Sequence, residues 1–293
     1  MKKATKMAAL MLALAMMTTT LTACSGNADS NSSSTATDTT VTNSQTQESE
    51  STPAETGAQE AAPEADDNTL TFGTNAEFPP FEFVTSSGVI DQYDGIDMAI
   101  AKQIAETNGM TAEIENMEFA SLLVALQNGQ IDAAIAGMTI TDERKEEADF
   151  SIPYYTATQV MIMREDSDIA SANDLEGKKI CVIEGYTGEV CVRDMGYPYE
   201  AFKKGTDAIM ELVNGKCDVV ILDSATSQKY VSDNEGLKIV EDPSAFESEE
   251  YAIAVKKGNT ELLDKINTAI DAMLADGTIA ELGAKYTEEL SAE

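Results

Sequence analysis

The sequence predicts an α/β fold with two lobes, and three observations support this prediction. From Thr69 onward, apolar runs of strand length alternate with segments whose apolar residues recur at helical spacing. A helical segment, an Asn-Gly pair and an Asp-bearing apolar strand occur twice in this order, at Leu122–Asp132 and at Ile209–Asp218. Each half also presents polar residues where its strands end. Such an arrangement favours a ligand bound in the cleft between two similar lobes.

The composition disfavours several classes of function. Among the 293 residues, 52 are Asp or Glu and 19 are Lys or Arg, a net charge of −33, so we expect no nucleic-acid partner. The absence of histidine excludes Ser-His-Asp and Cys-His catalysis and every His-ligated metal site. We expect no catalytic residue, no metal and no cofactor in this protein. The spacing of Cys181, Cys191 and Cys217 leaves open whether two of them form a disulfide.

Residues 1–23 have the features of a signal peptide. Early lysines precede an apolar core, Ala8–Met17, that is too short to span a membrane. The core is followed by Leu21-Thr22-Ala23-Cys24, which resembles the lipobox of bacterial lipoproteins. The resemblance implies that Cys24 is acylated and anchors the protein on the extracellular face of the cell membrane. An ordinary secretory signal with a chance cysteine is the alternative.

Residues 24–68 are predicted to form a disordered acidic tether. From Ser25 to Asn68 the chain has no Lys or Arg and hardly any large apolar side chain. Such a segment cannot bury enough surface to offset the entropy of ordering, and the repulsion between its carboxylates extends it. The tether would hold a globular head away from the membrane surface.

The first lobe begins directly after the tether. The predicted elements are a strand at Leu70–Thr74, a helix from Ile96 to about Gly109, a strand at Ala112–Met117, a helix at Phe119–Gln127 and a strand at Ile131–Ala136. The first helix is indicated by apolar residues at helical spacing and by the glycine at its end. The last strand is apolar throughout, which is typical of a parallel sheet covered on both faces.

The second lobe repeats this alternation. The predicted strands are Gln159–Met163, Lys179–Ile183, Val219–Leu222 and Tyr251–Val255, and the predicted helices are Asp207–Val213, Thr260–Leu274 and Ile279–Tyr286. A turn with two glycines, Glu184–Glu189, leads from the second of these strands into a further helix. The third strand ends at Asp223, so a carboxylate is expected at the edge of the sheet.

The segment Ala136–Lys145 combines three polar groups at the end of a buried strand. A glycine carbonyl at Gly137 is followed by the hydroxyl of Thr139 and the guanidinium of Arg144. An ammonium group needs acceptors, and a carboxylate suits a bidentate donor such as arginine. The segment therefore suits the backbone end of an α-amino acid.

Several motifs together resemble one known family. They are Phe72-Gly73-Thr74-Asn75, Pro80-Phe81-Glu82-Phe83, Gly95-Ile96-Asp97, Ala136–Lys145 and Asp149-Phe150-Ser151 with Pro153-Tyr154-Tyr155. In this order they resemble the bacterial extracellular solute-binding proteins for polar amino acids, the capture components of ABC importers. The resemblance extends over essentially everything after the tether. Ala157–Val160 and Glu241-Asp242-Pro243 are most similar to the arginine, lysine and glutamine branch.

The resemblance implies a two-lobe, periplasmic-binding-protein-like fold of type II. Residues 69–158 and 254–293 would form lobe 1, and residues 159–253 would form lobe 2. Two crossover strands, near Ala157–Met163 and Tyr251–Val255, would serve as the hinge.

The resemblance also implies roles for residues of the first lobe. Arg144 matches the arginine that holds the ligand α-carboxylate. Within Gly137-Met138-Thr139, the carbonyl of Gly137 and the hydroxyl of Thr139 match contacts to the ligand ammonium or carboxylate. Together these residues would recognise the backbone end of the ligand.

The remaining implied contacts come from both lobes. In the second lobe, the hydroxyl of Thr187 and the amide of Gly188 match further contacts to the ligand carboxylate. Asp223 matches the carboxylate that receives the ligand ammonium, although the following Ser-Ala-Thr also permits it to cap a helix. Phe78 and Phe119 match aromatic residues that pack on the ligand side chain.

Ligand selectivity is expected to depend on Asn75, Glu77, Phe78, Phe119 and Gln159. The family often has Asp where this chain has Asn75, which favours a neutral polar ligand. Glu77, together with Glu184 after the strand, favours a cationic ligand instead. The sequence leaves the choice open.

The sequence thus predicts a monomeric, lipid-anchored lipoprotein, not an enzyme. It would capture a polar or cationic L-amino acid and deliver it to an ABC permease. One alternative is an enzyme like the cyclohexadienyl dehydratases on the same fold, but Arg144 together with Asp223 favours binding. A tethered amino-acid sensor or adhesin is the other alternative.

Overall fold

The computed structural model describes residues 68–289. The predicted signal peptide, the lipidation of Cys24 and nearly all of the predicted tether lie outside the described residues. Within residues 68–289, no helix is both long and apolar enough to cross a membrane, and no three potential metal-ligating side chains form a cluster. The cysteines of this range, Cys181, Cys191 and Cys217, are free thiols.

Strands and helices alternate along most of the described chain. The strands are β1 (Thr69–Thr74), β2 (Glu77–Phe78), β3 (Glu82–Val84), β4 (Tyr93–Asp94), β5 (Thr111–Asn116), β6 (Ala133–Ala134), β7 (Ala148–Phe150), β8 (Tyr155–Arg164), β9 (Ile180–Ile183), β10 (Tyr199–Phe202), β11 (Val219–Asp223), β12 (Leu237–Val240), β13 (Ser248–Tyr251) and β14 (Ala254–Lys256). The helices are α1 (Ile96–Thr107), α2 (Leu122–Asn128), α3 (Asp142–Glu147), α4 (Thr187–Asp194), α5 (Gly205–Val213), α6 (Ser224–Asp233), α7 (Thr260–Asp276) and α8 (Thr278–Glu289).

The first lobe is built on a five-stranded sheet with the order β5-β1-β6-β14-β7. β1 pairs with β5 and β6 in parallel, and α1 and α2 form the crossovers that parallel neighbours require. β14 pairs antiparallel with β6 and β7, so a segment from late in the chain completes this sheet. The two C-terminal helices, α7 and α8, then pack against α1.

The second lobe is built on a sheet with the order β10-β9-β11-β8-β12, and β13 pairs with the beginning of β8. Along β8, Met161 and Met163 belong to one apolar layer and Ile162 belongs to the other. Strands β9 and β11 alternate between the two layers in the same way. Because neighbouring side chains point to opposite faces, a strand covered on both faces must be apolar throughout. This explains the continuous apolar runs in the sequence.

The predicted strand Ile131–Ala136 is shorter in the structure. Only Ala133–Ala134 form β6, paired with β1 and β14. Before β6, the Asp132 carboxylate accepts the backbone N–H of Thr71 over 2.9 Å. After β6, the chain turns at Gly137, which has φ of 52°. A side-chain contact and a turn therefore limit the regular pairing.

The predicted strand Tyr251–Val255 is divided between the two sheets. β13 ends at Tyr251 and pairs with β8, whereas β14 begins at Ala254 and pairs with β6. The chain passes between the sheets here and again at residues 151–154, between β7 and β8. Two crossings thus join two sheets, each with its own helices. The predicted α/β fold with two lobes is confirmed.

Candidate functional site

A buried carboxylate of the first lobe holds the backbone of Gly137. The amide N–H of Gly137 and the hydroxyl of Tyr154 both donate to Oδ2 of Asp97, each over 2.8 Å. Gly137 is left-handed, and a Cβ atom here would lie 2.6 Å from Cε1 of Phe78. The turn therefore needs glycine for its conformation and for space.

Glu82, on β3, is buried beside Asp97. Both residues are 0% exposed. Burial, followed by the charge of Asp97 and a hydrogen bond to it, raises the pKa of Glu82 well above its usual range. Burial also raises the pKa of Asp97 to about 6, although the hydrogen bonds from Gly137 and Tyr154 oppose this shift. A protonated Glu82 beside an ionised Asp97 leaves one carboxylate to hold Gly137.

Arg144 lies in the first turn of α3, and its guanidinium reaches across the cleft. Its backbone N–H donates to Oγ1 of Thr141, which caps the helix. One guanidinium N–H donates to the carbonyl of Thr139 over 2.7 Å, and another donates to the carbonyl of Gly185 over 2.9 Å. The guanidinium carbon lies 5.1 Å from the centre of the Phe119 ring. Because Gly185 belongs to the second lobe, Arg144 joins the two lobes.

The guanidinium of Arg144 remains a cation despite its burial. Burial lowers the pKa of Arg144, and the carboxylates of Glu249 and Asp223 act in the opposite direction. Since the usual pKa of arginine lies far above neutral pH, the group stays protonated. A buried cation with a planar array of N–H donors suits a bound carboxylate.

The second lobe brings a helix N-terminus to the same place. Thr187 and Gly188 are the first two residues of α4, so their backbone N–H groups are among those that have no acceptor within the helix, and Thr187 lines the cleft. A helix N-terminus favours anions. A Cβ atom on Gly188 would lie 2.7 Å from the carbonyl oxygen of Ile221. Glycine is thus required where α4 packs on β11.

Asp223 ends β11 and precedes α6, but its side chain forms no helix cap. Instead, its Oδ1 atom accepts the hydroxyl proton of Tyr251 in a short hydrogen bond. Burial and the nearby charge of Glu249 raise the pKa of Asp223 to about 7, while the hydrogen bonds from Tyr251 and Gln159 lower it. The sequence permits Asp223 either to contact a ligand or to cap α6. In the structure its carboxylate faces the cleft and does not cap the helix.

These groups surround a small, nearly filled cavity of about 10 Å³ between the lobes. Seven predicted site residues line it, together with Ala136 and Tyr186; the seven are Phe78, Phe119, Gly137, Thr139, Arg144, Thr187 and Asp223. A guanidinium and a helix N-terminus suit a carboxylate, and Asp223 with the threonine hydroxyls suits an ammonium. Two phenylalanine rings supply apolar surface. The groups that line the cavity thus complement the charged groups of an α-amino acid, although the cavity in this structure is smaller than such a ligand.

Two predicted selectivity residues form contacts between the lobes. The carbonyl oxygen of the Asn75 amide accepts the hydroxyl proton of Tyr186 over 2.9 Å. Glu77 accepts from Nζ of Lys204 over 2.7 Å, and Tyr230 donates to its backbone carbonyl over 3.2 Å. The charge of Glu77 is therefore compensated by a lysine of the opposite lobe.

Three other predicted residues do not line the cavity but pack against, or hydrogen-bond to, residues that do. Met138 is 0% exposed, and its side chain belongs to the apolar core. Gln159 is buried at the start of the second sheet and donates to Oγ1 of Thr187 over 3.0 Å. Gly188 provides the close packing of α4 described above. Glu184, also considered for selectivity, is exposed.

Opposite charges face one another at the mouth of the cleft. Lys204 pairs with Glu77, and Lys203 pairs with Glu118, each over 2.7 Å. A third, longer pair joins Arg193 to Glu143 over 3.9 Å. In each pair the cation belongs to the second lobe and the carboxylate to the first. We call these three contacts the mouth pairs.

Comparison with known proteins assigns this chain to a family. Residues 70–289 match the profile of the bacterial extracellular solute-binding proteins, family 3. The chain belongs to this family.

The relatives of this solute-binding protein are similar over nearly their whole length. The arginine-binding extracellular protein ArtP of Bacillus subtilis (strain 168) is 32% identical over 236 residues, which cover 78% of this chain and 90% of ArtP. A probable histidine-binding protein of Neisseria gonorrhoeae is 34% identical over 238 residues, which cover 78% and 87%. The solved structure of an ancestral arginine-binding protein bound to glutamine has a TM-score of 0.70 and 42% identity, and the match covers 75% of this chain and 97% of that one. The predicted type II periplasmic-binding-protein-like fold and the family resemblance are confirmed.

Two residues at the site of this solute-binding protein are not indicated by the sequence motifs. Tyr186 lines the cavity and packs edge-on against Phe78 and Phe119, with ring centres 5.4 and 4.6 Å apart. Glu249, on β13, accepts hydrogen bonds from Thr139 and Thr187. An aromatic residue within the glycine-bearing turn was the available signal for Tyr186. Glu249 stands in an acidic segment that resembles ordinary solvated surface, so the sequence offered no signal for it.

Proposed function

We propose that this solute-binding protein captures a polar or cationic L-amino acid between its lobes and delivers it to an ABC permease. The observation that carries the proposal is the cavity, where Arg144, Asp223 and the N-terminus of α4 converge. The first group binds the ligand carboxylate, the second binds its ammonium, and the helix amides add donors to the carboxylate. Two of the relatives described above are named as arginine-binding and probable histidine-binding proteins, which supports an amino acid as the ligand.

Binding and closure are coupled in this proposal. The first lobe supplies Arg144 and Thr139, and the second lobe supplies Asp223 and the Gly188 amide. A ligand that contacts both sets stabilises the closed arrangement more than the open one, so it shifts the population toward closure. The ABC permease then distinguishes closed from open protein.

The range of ligands remains broad in this proposal. Glu77 is paired with Lys204, and Asn75 is engaged by Tyr186, so neither presents an unpaired charge to the cavity. Phe78 and Phe119 offer their faces to the aliphatic part of a side chain or to a cationic head group. Both neutral polar and cationic amino acids fit this chemistry.

We also propose that the protein acts on the extracellular face as a monomer, with a lipid anchor at Cys24, and that it is not an enzyme. Arg144 and Asp223 support binding rather than dehydration, because they complement both charged groups of an unreacted amino acid. The division into lobe 1 at residues 69–158 and 254–293 and lobe 2 at residues 159–253 stays a prediction.

A thermal-shift screen tests the proposed function directly. The purified protein would be melted with each of the twenty amino acids, ornithine and citrulline. A true ligand stabilises the folded state by about 3–4 kcal/mol at roughly 100–1,000 times its Kd. If no compound raised the melting temperature, the proposed function would be wrong.

Replacing Arg144 with alanine tests the assignment of the site. The ligand carboxylate would lose its charged partner in a buried site, which costs about 3–5 kcal/mol, or on the order of 10²–10⁴-fold in affinity. Arg193 is the matched control, because it is exposed and pairs with Glu143 at the mouth of the cleft. Calorimetry should show a large loss for Arg144→Ala and little change for Arg193→Ala. If Arg144→Ala bound the amino acid as tightly as the wild-type protein, the contact to the ligand carboxylate would have to lie elsewhere.

A further inference from the structure

One carboxylate oxygen of Glu249 collects hydrogen bonds from three parts of the site. The hydroxyl of Thr139, in the first lobe, donates to Oε2 over 2.8 Å. The hydroxyl of Thr187, in the second lobe, donates to the same atom over 2.7 Å. The amide of Gln159, on β8, adds a longer contact of 3.4 Å. Glu249 stands on β13, which pairs with β8 beside the crossing between the lobes.

These bonds determine which way the threonine hydroxyls point. A hydroxyl has a single proton to donate, whereas an ionised carboxylate can only accept. Because the protons of Thr139 and Thr187 are directed at Glu249, both oxygens present lone pairs to the cavity that they line. Thr187 also accepts from Gln159, which holds its oxygen in place.

We propose that Glu249 is a positioning residue that makes the hydroxyls of Thr139 and Thr187 acceptors for the α-ammonium group of the ligand. This inference rests on the proposed function and adds a residue to it. It also gives Thr187 a different role from the carboxylate contact that the family resemblance implies. Glu249 itself does not line the cavity and acts through the two threonines.

The surroundings of Glu249 agree with an ammonium at this end of the cavity. Asp223 is close enough for the charge of Glu249 to act on it. Together with the two threonine oxygens, Asp223 makes this end of the cavity a set of acceptors. An ammonium has three N–H donors and no acceptor, so it matches such a set, whereas a carboxylate is repelled by it. The guanidinium of Arg144 and the N-terminus of α4 supply donors for the ligand carboxylate.

The test compares amino acids with analogues that lack only the ammonium group. The probes are L-arginine with 5-guanidinopentanoate and L-glutamine with 4-carbamoylbutanoate, titrated by calorimetry into the full protein. The measured quantity is the ratio of the Kd of the analogue to the Kd of the amino acid. A residue that merely stabilises the fold changes both constants equally and leaves this ratio unaltered.

We expect Glu249→Ala to lower the ratio by about tenfold or more, the effect of losing one directed hydrogen bond to a charged group. Glu249→Gln keeps a carbonyl oxygen that accepts both hydroxyl protons, so its ratio should stay within about threefold of the wild-type value. Glu250→Ala is the control on the same strand, because the Glu250 side chain is exposed.

Each outcome separates the inference from the proposed function. If the wild-type protein binds an amino acid and the ratio is unchanged in Glu249→Ala, the inference is wrong and the proposed function stands. If the Kd ratio falls equally in Glu249→Ala and Glu249→Gln, the inference is also overturned. The glutamine variant still offers an acceptor to the two hydroxyl protons, so its ratio should not fall as far. If the wild-type protein binds neither the amino acids nor their analogues in these titrations, the inference is overturned, and arginine and glutamine are excluded as ligands.

Discussion

The buried carboxylate of Asp97 should make the protein less stable as the pH rises. Asp97 is the acceptor for the Gly137 amide, and it lies beside the protonated Glu82. The perturbation is Asp97→Asn. An asparagine oxygen still accepts from Gly137 and Tyr154, and its N–H₂ group donates to Glu82, so the network keeps its hydrogen bonds without a buried charge.

The magnitude follows from the pKa of Asp97. Its usual value of 3.8, which applies in the unfolded chain, is raised to about 6 in the folded protein. The folded state therefore binds the proton more tightly, and this contribution to stability is fully present below pH 3.8. It is lost as the pH rises through about 6. A shift of about two pKa units corresponds to about 3 kcal/mol in total, of which about 2 kcal/mol falls between pH 4 and pH 8.

The assay is urea unfolding at several pH values between 4 and 8. The free energy of unfolding of the wild-type protein should fall by about 2 kcal/mol more than that of Asp97→Asn over this range. Asp264→Asn is the control, because Asp264 is exposed on α7 and should leave the pH dependence unchanged. If Asp97→Asn retained the full wild-type pH dependence, Asp97 would not be the buried group that titrates. Glu82→Gln should also weaken the pH dependence, because burial raises the pKa of Glu82 and its contribution to stability is likewise lost as the pH rises.

Two further predictions concern ligand binding. Asp223, whose pKa is raised to about 7, must be ionised to receive an ammonium, so amino-acid affinity should fall by about one to two orders of magnitude from pH 8 to pH 5. Calorimetry across this range checks it, and a flat profile would argue against the Asp223 contact. Gly188→Ala would place a Cβ atom 2.7 Å from the Ile221 carbonyl and should weaken amino-acid binding by about tenfold or more. The control is Gly283→Ala, where a Cβ atom meets nothing within 4 Å, and this variant should bind normally. If Gly188→Ala bound the amino acid as tightly as Gly283→Ala, the start of α4 would not contact the ligand.

Local patterns in the sequence predict much of the fold. The apolar stripe from Ile96 and the glycine beyond it place α1 within about two residues of its true ends, because helical periodicity is a property of neighbouring residues. The continuous apolar runs at β9 and β11 are equally clear, since both faces of the second sheet are covered. The short strands β10 and β12 are missed, because each has half-buried or exposed residues and no strict alternation.

The candidate site is predictable from the sequence where its residues lie on one short segment. Thr139 and Arg144 are five residues apart, so their hydrogen bond follows from a local turn. Glu249 is 110 residues from Thr139, and Glu77 is 127 residues from Lys204. No periodicity links positions so far apart. The sequence alone leaves the charge of Glu77 free to attract a cationic ligand, whereas the structure pairs it with a lysine across the cleft.

The mouth pairs make the attraction between the lobes sensitive to the ionic strength of the surroundings. All three attract the second lobe to the first, and all three are partly exposed to solvent. Dissolved ions screen such charges over about 10 Å at 0.1 M salt, so the attraction weakens in concentrated media and strengthens in dilute ones. The buried contacts of Asn75 and Arg144 are shielded from this effect. In the proposed closing movement, these pairs would therefore stabilise the closed arrangement less at high salt than at low salt, whereas the contacts of Arg144 would change little.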